Sequence, residues 1–88
     1  MSPDPSSSSA APIPPQEAAR RAAAYLQSVV PTADAIRVEE TELDENDPIW
    51  RITLSYVPRD EPFATRIYKL FYVDAPTGNI RAMRMREG

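Results

Sequence analysis

At 88 residues and a formal net charge of −3, the chain has room for one domain and none for a second. Its apolar share of 42% is ordinary for a globular protein, and with neither cysteine nor histidine it has no disulfide framework, thiolate zinc site or imidazole chemistry. Carboxylate, hydroxyl, amine and phenol groups remain.

Five of the ten prolines fall within the first fifteen residues, where Ser, Pro and Ala dominate. Such a composition buries too little apolar surface to offset its conformational entropy, so residues 1–13 are expected to be a disordered tail or linker and 14–88 a single domain. A Pro/Ser-rich stretch of this kind often joins an export signal or lipid anchor to a mature domain. An extracytoplasmic setting is therefore expected if a signal precedes Ser2, and a cytoplasmic one otherwise. No apolar run of roughly 18 residues is present, so no membrane span is expected.

Pro14 to Val30 carries helical spacing, with Ala18, Ala22, Tyr25, Leu26, Val29 and Val30 on one stripe and Glu17, Arg20, Arg21 and Gln27 away from it. Pro14 and Pro15 suit the first turn, Glu17 favours the positive end of the helix, and Pro31 stops it. Ile36 to Leu43 reads as a strand whose alternation changes phase at Glu39 and Glu40, as a bulge would require. Turn formers follow from Leu43 to Pro48. Trp50, Ile52, Leu54 and Tyr56 then alternate with Arg51, Thr53 and Ser55 in the clearest half-buried strand.

After the break at Pro58 to Pro62, Thr65 to Asp74 is apolar in both phases, as a central strand would be. Ala75-Pro76-Thr77-Gly78 places proline and glycine where a tight turn needs them, and Asn79 to Arg86 closes the sequence of elements. The expected fold is α+β: one N-terminal helix on a four-stranded antiparallel meander. Leu26, Val29, Trp50, Ile52, Leu54, Leu70 and Tyr72 are its expected core.

The segment Val73-Asp74-Ala75-Pro76-Thr77-Gly78-Asn79-Ile80 resembles the turn between the last two strands of PepSY domains, and Ile13 with Gln16-Glu17-Ala18 and Ala22 looks like their helix opening. The resemblance spans roughly Ile13 to Met85. It implies a PepSY- or cystatin-like fold, a bacterial envelope or secreted setting, and an inhibitory or protein-binding role akin to that of peptidase propeptides. The acidic first hairpin and the lack of a peptidase domain depart from that pattern.

Within the turn, Asp74, Pro76 and Gly78 are assigned structural roles: Asp74 as a cap of backbone N–H groups, Gly78 as the source of a positive φ. Glu42, Asp44, Glu45 and Asp47 offer oxygen ligands but lack the glycine and distal glutamate of a calcium loop, so a solvated hairpin is favoured and no metal or cofactor is expected. Arg81, Arg84 and Arg86 with Tyr68 and Tyr72 could stack and pair with single-stranded nucleic acid, but a sequence pI near 4.8 favours arginines paired with Glu39, Glu40 or Glu42 across the sheet. Without histidine or a deep cleft, catalysis is not expected.

A protein-interaction or regulatory module is the leading expectation, with peptidase inhibition by occlusion as its specific form. A small-ligand carrier with a pocket between helix and sheet is the alternative, and nucleic-acid binding comes third. The face left bare by a single helix should bind a protein partner or a second copy. Ile67, Lys69, Phe71, Val73, Arg81 and Arg84 are its expected contacts.

Overall fold

A computed structural model describes residues 11–61 and 63–85. The expected tail over residues 1–10 lies outside them, as do Pro62 of the loop and Arg86 of the last strand. One helix, α1 (Pro15–Val29), precedes four strands: β1 (Ala33–Asp44), β2 (Ile49–Pro58), β3 (Ile67–Asp74) and β4 (Ile80–Met85). They form one antiparallel sheet in the order β1-β2-β3-β4, the meander expected from the short connections.

Pro14 caps α1 with extended backbone and Pro15 opens its first turn, where missing N–H groups cost nothing. Glu17 in that turn pairs with Arg20 and Arg21; the hydrogen bond from Arg21 holds its carboxyl below the usual range. Ala18, Ala22 and Leu26 are fully buried, and the two alanines let the helix lie close to the sheet. Beneath them lie Ile52, Leu54, Tyr56, Phe71 and Val73, with Trp50, Ile67, Ile80 and Met83 packed at the margin. Val29 is a correction to the expected core: it is 44% exposed, because Val30 packs on the core at the helix end instead. Tyr25 sits at the edge of the stripe with its ring against Phe71, edge to face at 6.3 Å.

The chain immediately ahead of α1 is tied to the sheet. The Ile13 N–H donates to the Ala75 carbonyl at 2.8 Å, and the Ile13 carbonyl accepts from Trp50 Nε1 at 2.9 Å. These two bonds pin the chain ahead of α1 to β2 and to the β3–β4 turn.

β1 contains two register shifts. One leaves Glu39 as the extra residue between Val38 and Glu40, where the phase change was expected; the other falls between Asp34 and Arg37. In the second, Ala35 takes a positive φ of 50°, held by a hydrogen bond from its N–H to Asp34 Oδ1 and one from Arg66 Nη1 to its carbonyl. The β3–β4 turn has the assigned chemistry. Asp74 Oδ2 accepts from the Thr77 N–H and hydroxyl, the Gly78 N–H donates to the Asp74 carbonyl, and Gly78 has φ 82°.

Candidate functional site

Residues directly opposite each other in an antiparallel pair project from the same face. Register therefore sorts the side chains. Trp50, Ile52, Leu54 and Tyr56 of β2 stand opposite Val73, Phe71, Lys69 and Ile67 of β3, so that phase of β3 turns toward the helix. The other phase, Tyr68, Leu70 and Tyr72, lies on the face that no helix covers.

This reverses the expected assignment of β3. Phe71 and Val73 are fully buried beneath α1, Ile67 packs on the core, and Lys69 shares the helix side with Leu54 and Met85. Leu70 and Tyr72 are half-buried on the open face and not in the core. Both phases of β3 are apolar, so periodicity could not choose between them. The discriminating signal was chemical: phenylalanine tolerates complete burial, whereas Tyr68 and Tyr72 keep their hydroxyls wet.

Three rows cross the open face. Glu40, Thr53, Leu70 and Arg84 form one; Glu42, Arg51, Tyr72 and Ala82 the next; Arg37, Ser55 and Tyr68 a third. Each begins on β1 and runs toward β4. On β3 the face is aromatic and aliphatic through Tyr68, Leu70 and Tyr72, on β2 it is polar through Arg51, Thr53 and Ser55, the β1 edge carries Arg37 paired with Glu39 at 3.6 Å beside Glu40 and Glu42, and the β4 edge carries Arg84.

Local pairing orders these side chains. Arg51 bridges Asp44 at 3.1 Å and Glu42 at 3.4 Å, and the Glu42 hydrogen bond raises its pKa above the usual guanidinium value. Ser55 is buried although its face is open, because its neighbours lie over it. Its hydroxyl donates to Glu39 Oε2 at 2.5 Å and accepts from Arg66 Nη1 at 3.0 Å. The Arg84 guanidinium lies 5.5 Å from the Tyr72 ring centroid, within cation–π range. A hollow of about 260 Å³ opens over β2, lined by Glu40, Glu42, Arg51, Thr53 and Leu70.

Of the six expected contacts, Arg84 is the one that the open face presents. Arg81 is the extra residue of a β4 register shift and pairs with Asp74 at 3.5 Å. Of the arginines expected to pair with Glu39, Glu40 or Glu42, Arg81 is engaged with Asp74 and Arg84 with the Tyr72 ring, on a strand three spacings or ~14 Å from β1, and Arg86 lies outside the described residues. Among the described residues, no group of three acidic, histidine or cysteine side chains is placed to hold a metal ion. No described helix is long and apolar enough to cross a membrane. Comparison with protein-family models, curated proteins and solved structures gave no match.

Proposed function

We propose that this domain is a non-catalytic interaction module that holds a protein partner on the open face of its sheet. The observation that supports this is the stripe of Tyr68, Leu70 and Tyr72 along β3 on the face that no described helix covers, flanked by Arg51 on β2 and Arg84 on β4. Protein interfaces are built in that way, with tyrosine and arginine prominent among their anchors. Nucleic-acid binding is less well supported: Tyr68, Tyr72 and Arg84 do share the face, but Glu40 and Glu42 share it too and would repel phosphate. The small-ligand alternative needs a pocket between helix and sheet, whereas the hollow over β2 lies on the other side.

A photo-crosslinking residue placed at Tyr68, in cells of the source organism, should give discrete protein adducts, and one placed at exposed Ala24 on the helix should give none. Adding Leu70→Glu should abolish the adducts from position 68. Adducts from position 24 alone would overturn the reading.

The likeness of the Val73–Ile80 turn to PepSY domains supports a regulatory form of this role, inhibition of a peptidase by occlusion. On that form, the purified chain at micromolar concentration should slow secreted metallopeptidases of its source. Full retention of their activity would remove the inhibitory form and leave the binding role standing.

A further inference from the structure

We infer that Phe63, on the loop between β2 and β3, is the anchor of the interface on the open face and inserts into an apolar pocket of a protein other than this chain. The inference rests on the reading that this face holds a protein. It is drawn from Phe63 itself, which is 100% exposed, whereas the next most exposed large apolar residue, Met85, is at 64%.

The loop holds the ring in place. The Glu61 N–H donates to the Pro58 carbonyl at 3.0 Å and the Ala64 N–H to the Glu61 carbonyl at 2.9 Å, so Phe63 belongs to a hydrogen-bonded turn. Both ends of the loop are tied to the body. The Arg59 N–H donates to the Thr32 carbonyl at 2.8 Å, and Arg66 Nη1 donates to the Ala35 carbonyl at 2.8 Å and the Ser55 hydroxyl at 3.0 Å. A ring carried on a tied loop loses little freedom on binding, so more of its burial is realised as affinity.

Arg66 also sets the loop beside the stripe. Ser55 and Tyr68 share a row of the open face, and Arg66 reaches that row from a position two residues before Tyr68. Area gives the reason for a partner to use both. Four strands at ~4.8 Å spacing, with 8 residues on β3 and 6 on β4 at ~3.4 Å each, enclose ~450 Å². A standard interface buries about 800 Å² on each partner, and one aromatic side chain supplies ~150–250 Å² of that. The face alone is small, and Phe63 is the largest single addition to it.

The occupant must offer a pocket that takes one ring. The hollows on the sheet are no such pocket: one is lined by Glu40, Glu42, Arg51 and Thr53 beside Leu70, the other by Glu40, Thr41 and Glu42. A ring seated there would desolvate charged groups, so a second copy of this chain is a poor receptor. A bilayer fits less well still. One ring buries too little apolar area for a stable anchor, and the exposed charges just ahead of it, Arg59 against Asp60 and Glu61, leave a net negative charge that anionic headgroups repel.

The test uses the protein that crosslinking from position 68 identifies, purified and titrated with the full chain. Phe63→Ala should raise Kd at least about 30-fold, as truncation of an interface anchor does. Because position 63 is fully exposed, the variant should keep the wild-type thermal midpoint, and lost binding is then not lost folding. Phe63→Leu, which keeps an apolar side chain, should stay within about tenfold of the wild type. A photo-crosslinking residue at position 63 should trap the same protein as one at position 68.

Binding by Phe63→Ala within about threefold of the wild type overturns the inference and leaves the docking surface standing. So does a different protein trapped from position 63. Flotation of the full chain with phosphatidylcholine–phosphatidylglycerol vesicles, abolished by Phe63→Ala, would make the occupant a bilayer, and adducts of twice the 9.8 kDa chain mass would make it a second copy. Either result overturns the inference. If position 68 gives no adducts, the docking surface fails and the anchor with it.

Discussion

Phe71→Ala should cost the fold about 3–5 kcal/mol, the range for emptying a fully buried aromatic site. A domain of this size has roughly 4–11 kcal/mol in total, so the variant should be largely unfolded at modest denaturant concentrations. Leu70→Ala, one residue earlier, should cost about 1 kcal/mol, because Leu70 stands half-exposed on the other face. Urea unfolding of both variants measures the difference directly. If Leu70→Ala were the costlier, β3 would be turned over and Tyr68, Leu70 and Tyr72 would be lost from the open face. The prediction therefore tests the foundation of the binding role as well as the packing.

Gly78→Ala should destabilise the domain by about 2 kcal/mol. A left-handed conformation costs an L-residue roughly 1–2 kcal/mol, and Gly78 has φ 82°. A Cβ there would also stand 2.8 Å from the Arg21 guanidinium, displacing a side chain that packs over the turn and pairs with Glu17. Thermal unfolding should show a lowered midpoint. Arg21→Ala with Gly78→Ala should recover the steric part of the loss and leave the backbone part, separating the two causes. Equal losses with and without Arg21 would mean that the guanidinium yields freely and that backbone strain is the whole cost.

The two expectations bear on different levels of organisation. At Gly78, Pro76 and Asp74, turn chemistry operates within six residues, which is why the turn was readable before any tertiary structure. The same locality holds for α1, whose Ala18, Ala22 and Leu26 spacing needs no knowledge of what lies beneath. It holds for β2, where apolar and polar residues alternate cleanly, and for the bulge at Glu39, which the phase change announced. Each of these signals is carried by near neighbours in the chain.

The candidate site was less legible. Arg84 was identified as part of it, while Phe71, Val73 and Ile67 were assigned to the face opposite the one they occupy. A strand apolar in both phases carries no periodic signal for its orientation. Only its register against β2 supplies one, through pairs such as Ile52 with Phe71. The clamp on Ile13 joins residues 37 and 62 positions apart, a separation over which local pattern says nothing. Ala35 with its positive φ carries no compositional mark at all, since the Arg66 that holds its carbonyl comes from beyond β2.

Charge shows the division most clearly. The amino-acid sequence by itself determined that acid collects in the middle of the chain and base near its end, and that the elements are one helix and four strands. It determined the turn between β3 and β4 by the same local means. Only the tertiary structure decided that the strand carrying Glu39, Glu40 and Glu42 and the strand carrying Arg84 become opposite edges of one sheet, with Tyr68, Leu70 and Tyr72 between them. Strand order and pairing register are non-local quantities, fixed when the helix selects which face of the sheet it covers, and the open face is what that selection leaves.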